Sequence, residues 1–142
     1  MTDTMRGHCL CGAVEIAIEA PAREIEICQC SMCRRWSGAI YTAQTGKSVT
    51  IEGEVKASVY RSSEWAERAF CGTCGSHLWF RFLPTGNRSF SAGLFDAAAS
   101  HTIEKEIFVD EAADWCRIKG DHPRQTGAEV IAEAEAAGYK FD

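Results

Sequence analysis

Alternation of apolar and polar residues is the dominant pattern along the chain. Residues 14–18 (VEIAI) and 24–27 (EIEI) alternate valine or isoleucine with glutamate or alanine. A period of two residues is typical of a strand with one buried face. Further strands are predicted at AIYTAQ (39–44), SVTIEG (48–53), ASVYRS (57–62), ERAFC (67–71), HLWFRF (77–82), SFSAG (89–93) and KEIFV (105–109). Because glycine, serine and the turn PTGN separate these short strands, we expect an antiparallel all-β domain rather than βαβ units.

One helix is predicted near the C-terminus, from about residue 126. Thr126 and Glu129 form a TxxE capping box ahead of Val130, Ile131 and an alanine-rich run, and Gly138 supplies a stop. The residues that would face the core are mostly small. We therefore expect this helix to pack on the outside of the sheet and to carry no candidate chemistry.

Composition places the chain among globular proteins with a single domain over residues 1–142. It is 46% hydrophobic and 25% charged, with a formal net charge of -5. An acidic chain is a poor binder of nucleic acid, which requires cationic side chains to neutralise phosphates. No apolar run approaches the length of about 20 residues that crosses a membrane, and the first residues lack the pattern of a signal peptide. The expected location is the cytoplasm.

Seven of the eight cysteines fall into three clusters. These are CLCG at Cys9 and Cys11, CQCSMC at Cys28, Cys30 and Cys33, and CGTCG at Cys71 and Cys74. In a reducing cytosol, clustered cysteines bind metal more often than they form disulfides. We interpret the isolated Cys116, beside Trp115, as a small buried hydrophobe.

The spacing of the clusters suggests two zinc sites. A CxC pair in a strand projects both sulfurs from one face, and a CxxC pair needs a tight turn. Structural zinc takes four ligands, whereas catalytic zinc takes three protein ligands and one exchangeable ligand, so seven cysteines divide as four and three.

The spacing alone leaves the division open. Cys30 and Cys33 could join Cys71 and Cys74, leaving Cys28 with the first CxC pair. Local geometry favours keeping Cys28, Cys30 and Cys33 together, because three ligands within six residues converge without closing a long loop. The three-cysteine set could also be a second closed site completed by a histidine or aspartate.

Arg34 directly follows the CQCSMC cluster. Guanidinium groups bind carboxylates with two parallel hydrogen bonds, so Arg34 is a candidate for holding an anionic substrate beside an open zinc. It could equally offset the charge of the thiolates.

The motifs themselves resemble those of a known family. They are GHCLCGAV (Gly7–Val14), CQCSMCRRWSG (Cys28–Gly38), FCGTCGS (Phe70–Ser76), SAGLFD (Ser91–Asp96) and EIFVDEAADW (Glu106–Trp115). With these motifs the chain resembles the glutathione-dependent formaldehyde-activating enzyme family, which includes centromere protein V. The resemblance covers about residues 5–118 and leaves the C-terminal helix outside.

The resemblance implies a β-tent of coiled antiparallel sheets with two zinc ions. It implies that the structural zinc is held by Cys9, Cys11, Cys71 and Cys74, and the catalytic zinc by Cys28, Cys30 and Cys33. In many members a histidine stands where this chain has Glu106. If that histidine shapes the active pocket, substrate choice differs here.

The implied activity is that of a carbon–sulfur lyase that joins glutathione and formaldehyde as S-(hydroxymethyl)glutathione, or reverses that step. Two alternatives stay open at this point. One is a non-enzymatic zinc module that binds a protein partner, which predicts a closed second site. The other is the same chemistry on another small thiol or electrophile.

Overall fold

The computed structural model describes residues 3–141 as two β-sheets, two short α-helices and four 3₁₀ helices. The strands are β1 (Thr4–His8), β2 (Glu15–Glu19), β3 (Glu24–Cys28), β4 (Tyr41–Gln44), β5 (Ser48–Glu52), β6 (Ala57–Arg61), β7 (Ala66–Cys71), β8 (His77–Phe82), β9 (Asn87–Ser91), β10 (Thr102–Ile107) and β11 (Arg124–Gln125). The α-helices are α1 (Ser31–Ser37) and α2 (Gly127–Ala136). The 3₁₀ helices span Glu54–Lys56, Ala92–Leu94, Asp96–Ser100 and Val109–Glu111.

The strands form a small sheet of order β1-β2-β5 and a large sheet of order β11-β10-β3-β4-β9-β8-β7-β6. Each of the nine predicted strands overlaps one of these, so the mostly-β prediction is confirmed. Within residues 3–141, neither helix is long and apolar enough to cross a membrane.

The main core contains residues from both sheets. Ile16 and Ile18 of β2 are fully buried with Trp79 of β8 and with Phe90 and Phe95. Cys9 and Cys71 belong to the same buried cluster. Because side chains alternate along a strand, Phe80 and Phe82 point away from Trp79, and they line a cavity.

The prediction of purely antiparallel pairing is wrong for β10. This strand runs parallel to β3, with Ile107 opposite Cys28, and parallel to β11. The chain leaves β9 through the two 3₁₀ helices Ala92–Leu94 and Asp96–Ser100, and it returns beside the start of β3. The turn residues after β9 therefore belong to a long connection and not to a hairpin.

Helix α1 interrupts the run of strands between β3 and β4. The sulfur of Cys30 caps its N-terminus by accepting a hydrogen bond from the Cys33 amide at 3.3 Å, and Gly38 ends it. Cysteine is not among the usual N-cap residues, so no capping pattern predicted this helix.

Helix α2 begins and ends as predicted. Thr126 and Glu129 form both hydrogen bonds of the capping box. Gly138 adopts a positive φ of 100°, and the amides of Gly138 and Tyr139 donate to the carbonyls of Glu135 and Ala134. This is the Schellman arrangement, which favours glycine because a side chain would be strained there.

Candidate metal centres and the adjoining cavity

The thiols of Cys9, Cys11, Cys71 and Cys74 form one cluster, with all four sulfurs within 4.8 Å of one another. Sulfur separations are 3.7 Å for Cys9 and Cys11, and 3.8 Å for Cys11 and Cys71. A tetrahedral zinc with Zn–S bonds of about 2.3 Å holds its sulfurs about 3.8 Å apart. The donor set and spacing therefore fit a four-thiolate zinc site.

Hydrogen bonds from the surrounding loops orient these sulfurs. The amides of Val14 and Thr73 each donate at 3.4 Å, to Cys9 and Cys71 respectively. Ser76 accepts a hydrogen bond from the Leu10 amide at 2.9 Å, and its hydroxyl lies 3.2 Å from the Cys74 sulfur. Hydrogen bonds from the Ser76 hydroxyl and then from its amide lower the pKa of Cys74 to about 5. The hydrogen bonds of Ser76 therefore stabilise the thiolate form of Cys74.

Cys28, Cys30 and Cys33 form the second cluster, again with sulfurs within 4.8 Å of one another. Cys28 is the last residue of β3, Cys30 caps α1 and Cys33 lies in its first turn. The prediction that each CxC pair lies in a strand is wrong: Cys9 and Cys11 both lie in the turn after β1, and only Cys28 of the second pair belongs to a strand. Hydrogen bonds from the thiols of Cys28 and then Cys33 lower the pKa of Cys30.

The seven clustered thiols are thus grouped as four and three. Among residues 3–141, no fourth cysteine, histidine or carboxylate atom lies within the same 4.8 Å of all three sulfurs in the second cluster. In contrast to the first cluster, this one offers a metal fewer protein ligands than zinc prefers in a closed structural site.

Arg68 is a neighbour of the second cluster that the sequence analysis missed. Its guanidinium is buried and donates to the Cys33 sulfur at 3.6 Å. It lies 5.0 Å from the ring centre of Trp36 and 5.2 Å from that of Phe80, in positions suited to cation–π attraction. The only sequence signal was an arginine inside the strand predicted over residues 67–71.

The three-cysteine cluster opens into a cavity of about 750 Å³. Cys28, Cys30 and Cys33 all contribute to its wall, whereas none of the first cluster's cysteines does. Most of the remaining wall is apolar. Its charged residues are the five glutamates Glu24, Glu26, Glu104, Glu111 and Glu133, and one lysine, Lys105. Burial raises the pKa of Glu26.

Helix α2 and the residues after it form one side of this cavity. Val130, Ile131 and Ala134 line it, followed by Tyr139 and Phe141. The Tyr139 ring packs edge-on against Phe82 at 4.9 Å, and the Phe141 ring packs edge-on against Trp65 at 5.2 Å. The helix therefore contributes wall residues to the cavity and no metal ligand, and the sequence pattern could not show that it faces this cavity.

A corner at Phe108 connects this wall to the cysteines. Phe108 has a positive φ of 57°, unusual for a residue with a side chain, and turns the chain from β10 into the 3₁₀ helix Val109–Glu111. A Cβ on Gly127 would lie 2.8 Å from the Phe108 ring, so α2 approaches this closely only with glycine there. Glu111 accepts a hydrogen bond from the Ser31 amide at 3.2 Å. The corner thus contacts both α1 and α2.

Two residues singled out in the sequence lie outside the cavity wall. Arg34 donates from Nη1 to the carbonyl of Glu111 at 3.2 Å. Glu106 is buried and accepts hydrogen bonds from Gln29 at 3.0 Å and His122 at 2.8 Å. Glu106 therefore fixes the segment before α2 against β10, and its effect on substrate choice stays a prediction.

The grouping of thiols predicts two zinc ions per chain, and it predicts that Cys116 is not required for either. Cys116 belongs to neither cluster, and its carbonyl accepts a hydrogen bond from Gln29. Elemental analysis of protein purified without chelator should give two equivalents for the natural chain and for Cys116→Ser. One equivalent in the natural chain, or loss of one in Cys116→Ser, would contradict this assignment.

Comparison with known proteins places these motifs in a family. The profile of "Glutathione-dependent formaldehyde-activating enzyme" matches residues 4–111, which include both thiol clusters. The chain belongs to this family. The predicted resemblance is confirmed, and the matched region ends before α2.

Two curated proteins that are similar to this chain carry related names. An "uncharacterized lyase" of Schizosaccharomyces pombe is 32% identical over 111 residues, covering 76% of this chain and 80% of the relative. A putative glutathione-dependent formaldehyde-activating enzyme of Halomonas elongata is 31% identical over 85 residues, covering 53% of this chain and 54% of the relative.

A solved structure is similar in both fold and sequence. The crystal structure of a Rhodobacter sphaeroides protein superimposes with a TM-score of 0.54 and 28% identity. It covers 65% of this chain and 88% of that protein. The match to the formaldehyde-activating enzyme family thus covers strands β1 to β10 and both thiol clusters, while β11 and the cavity wall formed by α2 lie beyond the matched residues.

Proposed function

We propose that this protein is a zinc-dependent carbon–sulfur lyase acting on the adduct of a small thiol and an aldehyde. The observation that carries the proposal is the cluster of Cys28, Cys30 and Cys33 at the wall of a large cavity. The names of the family and its relatives support glutathione as the thiol and formaldehyde as the aldehyde. The product of that pair is S-(hydroxymethyl)glutathione.

In this proposal the two clusters have different roles. Cys9, Cys11, Cys71 and Cys74 hold a structural zinc that joins two distant loops of a β-tent, and Cys28, Cys30 and Cys33 hold the reactive one. When bound in the second cluster, zinc would supply an exchangeable position at which a substrate thiol loses its proton at neutral pH. The whole chain then acts as one zinc-binding domain.

The surrounding residues support the addition of a thiolate to an aldehyde. A carbon–sulfur bond forms, the carbonyl π bond breaks, and the oxygen takes a proton, so the step needs no redox partner. Arg68 places a positive charge beside Cys33 and offsets part of the negative charge of three thiolates. Tyr41 lines the cavity, but its hydroxyl donates to the Ser89 carbonyl at 2.7 Å, so it is a structural part of the wall.

One feature favours this proposal over an alternative, and a second feature favours the other alternative. A partner-binding zinc module predicts a closed second site, and the absence of a fourth ligand around the described three-cysteine cluster favours the enzyme instead. The same chemistry on another thiol is favoured by the charged lining, because five glutamates outnumber the one lysine and repel the two carboxylates of glutathione.

The test compares catalysed and uncatalysed exchange of formaldehyde, glutathione and their adduct by exchange NMR. Because the addition also proceeds without catalyst, Cys30→Ser at the same concentration serves as the background. We expect the natural chain to raise the exchange rate at least about tenfold above that background, and glutathione to alter the zinc X-ray absorption edge. Equal rates with an unchanged edge would favour the partner-binding module.

A small amine-bearing thiol without carboxylates, such as cysteamine, tests the second candidate. Faster exchange with cysteamine than with glutathione would assign the acidic lining a role in thiol choice. The opposite order would favour glutathione.

A further inference from the structure

Arg68 is a buried cation without a carboxylate partner among residues 3–141. It is only 4% exposed, and none of the ion pairs between described residues includes it. A buried charge is costly unless a group of opposite charge lies beside it. The second cluster supplies such a group through the Cys33 sulfur, 3.6 Å from Nη1, because three thiolates around one Zn²⁺ leave one negative charge. The guanidinium offsets that charge only while it stays directed at the sulfur.

Two aromatic rings hold the guanidinium of Arg68 in this position. Its Cζ atom lies 5.0 Å from the ring centre of Trp36 in α1 and 5.2 Å from that of Phe80 in β8. Cys33 and Trp36 are three residues apart in α1, so their side chains project from the same face of the helix. Arg68 therefore packs against that face, in contact with both a candidate ligand sulfur and an indole ring.

The Trp36 ring is fixed in turn by two aromatic neighbours. The His77 ring stacks on it, with ring centres 4.7 Å apart and planes inclined by 20°, and the ring of Tyr41 lies at 5.4 Å. Tyr41 is buried, and His77 is the first residue of β8. His77 directly follows Ser76, whose hydroxyl lies 3.2 Å from the Cys74 sulfur. The indole thus connects α1 with the loop of the four-cysteine cluster.

We infer that Trp36 is a positioning residue for the three-cysteine cluster, because its indole holds the guanidinium of Arg68 against the Cys33 sulfur. Trp36 is neither a candidate metal ligand nor part of the cavity wall. This inference rests on the proposed function in one respect, namely that the second cluster holds zinc. It adds a residue that acts on this zinc only through Arg68.

Trp36→Leu removes the ring but keeps an apolar side chain that suits a helix. We expect it to weaken zinc binding by the second cluster at least about tenfold, because Arg68 loses a cation–π contact made away from water. Zinc binding by the first cluster should change less than twofold. Competition with a chromogenic chelator measures both affinities, and Cys30→Ser identifies the one that belongs to the second cluster. Trp36→Phe keeps an aromatic face and should recover most of the loss.

Trp115→Leu is the matched control, since Trp115 is exposed and should not affect either affinity more than twofold. A double-mutant cycle with Arg68→Met shows whether Trp36 acts through the guanidinium. In the Arg68→Met background, Trp36→Leu should weaken zinc binding by less than a further twofold. A full tenfold effect in that background would overturn the inference, because Trp36 would then act on α1 without Arg68. Equal effects of Trp36→Leu and Trp115→Leu would overturn it as well.

If Trp36→Leu fails to fold, His77→Leu tests the same arrangement by removing the stacked ring. We expect zinc binding by the second cluster to weaken at least about threefold, and by less than twofold when Arg68 is already methionine. An unchanged affinity in His77→Leu would contradict the positioning of Arg68 through these rings.

Exchange of formaldehyde, glutathione and their adduct separates this inference from the proposed function. Selective loss of zinc affinity in Trp36→Leu, together with exchange by the natural chain above the Cys30→Ser background, supports both. The same loss without exchange above that background supports the inference and overturns the proposed function. Unchanged zinc affinity in Trp36→Leu overturns the inference even if the natural chain catalyses exchange. A natural chain that binds no zinc in the second cluster overturns both.

Discussion

Cys74→Ser is expected to abolish zinc binding by the four-cysteine cluster and to lower the melting temperature of the protein by at least about 15 °C. The four sulfurs of this cluster join the loop after β1 to the turn after β7, and Cys11 and Cys71 are 60 residues apart in sequence. Structural zinc contributes about 10–16 kcal/mol of apparent binding free energy in small zinc-finger peptides. Differential scanning calorimetry with zinc analysis measures both effects.

Cys30→Ser is the matched substitution in the second cluster and should have the opposite signature. Its three ligands lie within six residues, so losing their metal releases no long-range connection between elements. We expect one zinc to be lost, the melting temperature to fall by less than about 5 °C, and thiol-dependent turnover to disappear. Unfolding as severe as that of Cys74→Ser would contradict the separation into structural and reactive sites.

Arg68→Met is expected to weaken zinc binding by the second cluster about 30- to 1,000-fold. Removing a buried cation 3.6 Å from the Cys33 sulfur leaves thiolate charge uncompensated. At an effective dielectric constant near 20, such a loss corresponds to about 2–4 kcal/mol. Competition with a chromogenic zinc chelator measures the affinity of each site.

The chain offers a control for the stacking role of arginine. Arg88 lies 5.0 Å from the ring centre of Trp79 and 5.9 Å from that of Phe90, and it pairs with Glu54. Arg88→Met removes a comparable cation–π contact and should leave zinc affinity within threefold. Arg68→Lys keeps the charge and should recover most of the lost affinity. If Arg68→Met and Arg88→Met have equal effects, Arg68 acts only through packing.

Local patterns in the sequence predicted those elements whose structure is determined by residues close together in the chain. Strand β2 and the capped start of α2 follow directly from alternation and from the TxxE box. The division of seven cysteines into four and three was also predictable, because the number of ligands that zinc prefers limits the choices. The family motifs made the same division explicit.

Contacts between distant parts of the chain were not predictable in this way. The parallel pairing of β10 with β3 depends on a connection through 3₁₀ helices that carries no strong pattern. Arg68 reaches Cys33 from another strand, 35 residues away, and no local rule relates the two. The role of α2 as a cavity wall depends on the unusual backbone of Phe108 and the close approach at Gly127.

The cavity wall is formed by two separate stretches of chain, so one stretch can be varied by laboratory evolution while the other stays unchanged. All seven clustered cysteines lie within residues 4–111, whereas Val130, Ala134 and Tyr139 contribute to the opposite wall from beyond that region. A library restricted to residues 130–141 would vary the shape of the cavity while every thiol stayed unchanged. Size selectivity and metal binding can therefore be selected as independent traits in this scaffold.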